Sequence, residues 1–125
     1  MKMLPDIHDF PVLVEYISLR EALITEKNPD KVKKICHRMI GITPEVKKAG
    51  DIYNAKLLKE RPHDITYDFA TVLPFKRLAV IYEKEGDIFR AITICDHALS
   101  FGYEDDGTKA GMKGRLEKLM KKAGY

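Results

Sequence analysis

Residues 74 to 102, PFKRLAVIYEKEGDIFRAITICDHALSFG, carry two apolar stripes of helical period on either side of a single break, a pattern that leaves few folds open. In the first half Phe75, Leu78, Ala79 and Tyr82 recur at steps of three and four, so they share one helix face. In the second half Ile88, Ala91, Ile92, Cys95, Ala98 and Leu99 do the same. Pro74 suits a first helical turn, where its missing N–H is not needed. Gly86 can take the left-handed conformation that ends a helix without a Cβ penalty, and the Asp87 carboxylate can cap the helix that follows. The segment reads as a helical hairpin.

Residues 16 to 40, YISLREALITEKNPDKVKKICHRMI, align on residues 75 to 99 without a gap. Tyr16 falls on Phe75, Leu19 on Leu78, Leu23 on Tyr82, Val32 on Ala91, Cys36 on Cys95 and Met39 on Ala98. Only four of the 25 pairs are identical, but apolar residues mostly meet apolar residues, and the break near Lys27-Asn28-Pro29 coincides with the one near Gly86. Between the copies, Thr43 and Pro44 resemble a cap and first turn, with Val46, Ala49, Tyr53 and Leu57 facing inward. At the end, Met112, Leu116, Leu119, Met120 and Ala123 share one face. The expected organisation is one all-α domain over residues 1–125: a degenerate hairpin at 12–41, a connecting helix at 44–60, a loop at 61–73, a hairpin at 74–102 and a capping helix at 108–123.

A chain of 125 residues, 45% of them hydrophobic, can bury a single core without disulfides. The longest apolar stretch, Phe10 to Ile24, is interrupted by Glu15, Arg20 and Glu21 and is too short to span a bilayer. Cys36 and Cys95 sit within helical stripes, and no signal-type segment precedes Leu4, so the expected location is a reducing cytoplasm. Charge is unevenly placed. Residues 27–61 hold ten Lys/Arg against four Asp/Glu and residues 107–125 six against one, while residues 82–106 hold seven acids against two bases.

Catalytic and metal chemistry find little support. The neighbours Cys36 and His37 point about 100° apart on a helix and cannot easily share one tetrahedral centre. The cysteines of that pair and of Cys95-Asp96-His97 both lie on the core stripe, where free Cys behaves as a small hydrophobe. His8 and His63 adjoin aspartates without a recognisable nucleophile beside them and read as turn residues. No glycine-rich phosphate loop follows a strand. The expectation is a non-enzymatic protein with no metal and no cofactor.

The spacing of Phe75, Leu78, Ala79, Tyr82, Gly86, Asp87, Ala91, Cys95 and Ala98 resembles the tetratricopeptide repeat. That family places an aromatic and Leu-Ala-x-x-Tyr in its first helix, a Gly-Asp turn, and small residues where the second helix approaches. The earlier copy departs at Arg20, Val32 and Met39, and Tyr103 replaces the closing proline. The resemblance implies five to six helices in right-handed superhelical packing and a protein-binding scaffold whose concave side is lined by the first helix of each pair. Mapped here, that side holds Val14, Ile17, Glu21 and Ile24, then Lys76, Val80, Glu83 and Lys84. Val80 stands where chaperone-binding members carry an asparagine, so their capture of a peptide's terminal carboxylate is not implied.

The functional expectation is an adaptor that binds a peptide, a protein or its own copy through the apolar side of these first helices. A homodimer follows from a count of faces. Val12, Tyr16, Leu19 and Leu23 suffice to dock the first helix, leaving Leu13, Val14, Ile17 and Ile24 as a second apolar surface. The alternative partner is nucleic acid, held by the basic segments 31–48 and 109–122.

Overall fold

The computed structural model describes residues 5–125. It consists of five α-helices, α1 (Pro11–Thr25), α2 (Pro29–Glu60), α3 (Leu73–Lys84), α4 (Ile88–Ser100) and α5 (Gly111–Lys122), preceded by a 3-10 turn at Ile7–Asp9. No strand occurs among the described residues, so the fold is all-α. Each α-helix packs against the next in sequence. None is long and apolar enough to cross a membrane.

The helix breaks follow local chemistry. Asn28 caps α2, its side-chain oxygen accepting from the backbone N–H of Asp30 and Lys31 at 3.0 and 3.3 Å. Asp87 caps α4 by accepting from the Arg90 N–H at 3.2 Å. Between α3 and α4 the chain reverses through Gly86 at φ +80°, and the Asp87 N–H reaches back to the Tyr82 carbonyl at 2.9 Å. That six-residue closure needs a left-handed residue, which glycine supplies without strain.

Phe75, Leu78, Ala79, Tyr82, Ala91, Cys95 and Ala98 are all buried, as are Tyr16, Leu23, Val32, Cys36 and Met39. Leu13 corrects the count of faces: it is fully buried, whereas Val12 and Leu19 are only half-buried against the core. The inward face of α1 is therefore rotated toward Leu13, and the second apolar surface loses one of its four residues.

The expected boundary between a hairpin ending at 41 and a helix starting at 44 does not exist. Residues 29 to 60 form one helix, with Pro44 inside it. A proline there removes one backbone bond and crowds the preceding turn, a cost of about 3 kcal/mol. Burial on both sides offsets it, since Ile40, Ile42, Thr43 and Val46 all lie in the core. Thr43 is not a cap: its hydroxyl donates backward to the Met39 carbonyl at 2.8 Å. The final helix also starts later than residue 108. The Asp106 carboxylate accepts from the backbone N–H and hydroxyl of Thr108, which holds that stretch in a turn before α5.

The segment 61–72 is a strap tied to the far half of α2. The Asn54 side-chain amide donates to the Tyr67 carbonyl at 2.8 Å and accepts from its N–H at 2.9 Å, as a neighbouring strand would. Phe69 lies against Gly50, where a Cβ would come within 3.1 Å of its ring, so this helix position is glycine to let the strap close. Farther on, the Thr71 N–H donates to the Tyr16 hydroxyl at 3.0 Å, fastening the strap to α1.

Cys36 and Cys95 are free and fully buried. Burial pushes both thiols up to about 11, leaving a thiolate fraction of roughly one in ten thousand at neutral pH. A thiol reagent is expected to label the folded chain only at the rate at which it opens, and the denatured chain at once. Rapid native labelling of either cysteine would contradict the packing around it.

Candidate interaction surface

α3 is bonded on one side to the end of α1 and on the other to the α4–α5 connection and α5. On the first side, the Arg77 guanidinium donates to the carbonyls of Leu23 and Glu26, the latter at 3.4 Å, satisfying groups that the end of α1 leaves unpaired. On the second, Lys76 Nζ donates to the Asp106 carbonyl at 2.7 Å, and Lys122 Nζ to Glu83 at 2.5 Å. Every bond of this kind comes from a residue off the buried stripe of α3, so one surface of the molecule has α3 flanked by α1 and α5.

The eight residues assigned to the binding side from sequence separate accordingly. On α1, Val14 and Ile17 are half-buried, Glu21 is exposed, and Ile24 is 66% exposed. On α3, Val80 is half-buried and Lys84 exposed, so both remain on an accessible face. Lys76 and Glu83 are not free lining residues. They carry the bonds to the α4–α5 connection and to Lys122 described above.

Two recesses flank α3. Toward the α1–α2 turn and the start of α2, a cleft of about 280 Å³ is lined by Lys27, Val32, Arg77, Ile81 and Lys84 among others. Toward α5, a larger cleft of about 460 Å³ is lined by Glu83, Lys109, Arg115, Lys118 and Leu119 among others. Both combine apolar surface with cations. Sequence periodicity passes over Arg77, Ile81, Arg115 and Lys118 because none lies on a buried stripe. The one local signal was the Asp106-Gly107-Thr108 turn that precedes α5.

Asp106 organises the larger cleft. Its side chain is fully buried, and its Oδ2 accepts from Arg115 Nε at 3.0 Å. Burial pushes this carboxyl up, but the bonds from Thr108 and Arg115 outweigh burial and hold it below the ordinary carboxylate value of 3.8. It is a fixed anion beside a guanidinium whose own side chain is only 18% exposed.

Three of the six Lys and Arg residues in the basic segment 31–48 are engaged within the molecule. Lys33 pairs with Glu85 and Arg38 with Glu15, each at 2.6 Å. Lys47 lies over the Phe101 and Tyr103 rings at 5.7 and 5.0 Å. In segment 109–122, Arg115 and Lys122 are paired, whereas Lys109, Lys113, Lys118 and Lys121 form no ion pair among the described residues. No group of three or more metal-binding side chains gathers among the described residues, and His8 is occupied by Asp6 at 2.9 Å.

Compared with known proteins, the chain matches no family model, no curated protein and no solved structure.

Proposed function

We propose that this chain is a non-enzymatic interaction module, a tetratricopeptide-like adaptor of the cytoplasm, that holds a segment of another protein against the face formed by α1, α3 and α5. The observation that carries the reading is the pair of clefts flanking α3, one against the α1–α2 turn and one against α5. A ridge with a recess on each side offers a segment concave contact and a fixed direction, whereas an isolated surface helix offers neither. The tetratricopeptide-like part of the reading draws support from corresponding positions. Asn28 and Asp87 both cap helices, and the pairs Tyr16/Phe75, Leu23/Tyr82, Val32/Ala91, Cys36/Cys95 and Met39/Ala98 are all buried. The nucleic-acid alternative would rest on Lys31, Lys34 and Lys48 rather than on Lys33, Arg38 and Lys47, which are engaged within the molecule.

Panning a displayed library of random peptides against the full chain tests the proposal. Enriched peptides are expected to bind the wild type and to lose about tenfold or more in affinity for Val80→Asp, which places a charge on the ridge between the clefts. Enrichment of no peptide, or of peptides that bind the variant equally well, would sink it. A second copy as the occupant would show as a wild-type dimer in sedimentation that Ile17→Asp converts to a folded monomer.

A further inference from the structure

The larger cleft carries a charge pattern that specifies what the held segment brings to it. Three cations line it, Lys109, Arg115 and Lys118, against one anion, Glu83, an excess of three minus one, or two positive charges, and the partners Asp106 of Arg115 and Lys122 of Glu83 leave that excess unchanged. The anions are spoken for: Glu83 by Lys122 and Asp106 by Arg115 and Thr108. Lys109 and Lys118 have no ion-pair partner among the described residues.

Arg115 is the centre of the pattern. Asp106 takes the Nε edge of its guanidinium, and among the described residues no protein acceptor lies on the two terminal nitrogens. A guanidinium with 18% of its side chain exposed and its fork unfilled has had its orientation set in advance. The fork matches the two oxygens of a carboxylate, and the cost of ordering the long side chain is already met by folding.

We infer that the α3–α5 cleft is the recognition site for an acidic segment of a partner protein, with one carboxylate on the Arg115 fork and a second between Lys109 and Lys118. The inference rests on the adaptor reading above and adds the chemistry of the segment. A protein segment suits the site better than a nucleic-acid backbone. Duplex DNA presents a charge about every 1.7 Å of its axis and needs a continuous basic stripe. Here the cations sit in a recess whose α3 wall is Glu83, and the adjoining cleft ends at Glu85. Asp106 acts as a positioning residue, setting the fork without meeting the segment.

Four probes decide this on the full chain: a fluorescent glutamate-rich peptide, the same peptide with glutamine for glutamate, inorganic phosphate and a single-stranded oligonucleotide. The glutamate peptide is expected to bind, the glutamine peptide to bind at least about tenfold more weakly, and amide shifts to concentrate between Thr108 and Leu119. Lys118→Glu should abolish the preference for glutamate. Lys34→Glu, the same charge change on the exposed side of α2, should leave it intact. Equal loss in both variants, or stronger binding of the oligonucleotide, would mean a diffuse polyanion surface and overturn the inference. Phosphate that shifts the same amides while the glutamate peptide does not bind would mean a free-anion site, and also overturns it. Self-association of the wild type that Lys118→Glu reverses would make a second copy the occupant, again against the inference. Library peptides without acidic bias that still lose affinity for Val80→Asp would remove only this inference and leave the adaptor reading standing.

Discussion

Replacing Phe75 with alanine is expected to cost about 3–5 kcal/mol, a large share of the 5–15 kcal/mol that typically holds a domain folded. Phe75 is fully buried, and its ring centroid lies 5.6 Å from His97, 5.9 Å from Phe101 and 5.6 Å from Tyr103. The ring therefore joins α3, α4 and the connection to α5, so its removal leaves a cavity that no single side chain can close. A urea midpoint should fall by roughly 2 M for a chain of this size. Phe89→Ala provides the comparison, because that ring is 64% exposed and its loss should stay within about 0.5 kcal/mol. Equal midpoints for the two variants would mean that the aromatic cluster is not the joint of the C-terminal half.

Asp106→Asn is expected to cost about 3 kcal/mol at neutral pH, near the low end for breaking a buried ion pair because Arg115 opens onto the cleft. The variant keeps an acceptor for Thr108 and removes the charge facing Arg115. The pH dependence has a definite sign. The folded carboxyl titrates below its ordinary value of 3.8, so protonation favours the unfolded chain. The stabilisation from Asp106 is complete above that ordinary value and is lost as the pH falls through the lower, folded one. Asparagine takes up no proton there. The stability gap between wild type and variant should hold from about pH 7 to about pH 5 and narrow by about pH 3, as chemical denaturation at each pH would show. A gap that stays constant through acid would mean that the Asp106–Arg115 pair is not formed in solution.

Both turns that close the helical hairpins were legible in the sequence, and for one reason: a cap acts within three residues of itself. Asn28 and Asp87 bond to N–H groups two or three positions ahead, and Gly86 turns the chain where its own φ permits. Pro44 misleads for the same reason. Its local chemistry favours a helix start, and only the burial of Ile40, Ile42, Thr43 and Val46 across the core keeps the helix running through it. The strap was legible as a loop but not as a fastened one, because the groups that fasten it are distant in sequence: Asn54 is 13 residues from Tyr67, and Tyr16 is 55 from Thr71.

The interaction surface divides along the same line. Val14, Ile17, Ile24 and Val80 could be placed off the buried stripes by counting steps along single helices. That Lys76 and Glu83 are engaged, that Arg77 ties α3 to the end of α1, and that Arg115 is held with an empty fork could not, since each depends on a partner from another element. The sequence by itself determined an all-α chain, its two hairpin turns and the residues of its main stripes, because periodicity and capping are properties of neighbouring residues. Only the tertiary structure decided that α2 is one helix, that Leu13 rather than Val12 fills the core, and that the charges of α5 surround a cleft. Those outcomes depend on burial and on charge pairing between segments distant in sequence, whose energies exceed or redirect local preference.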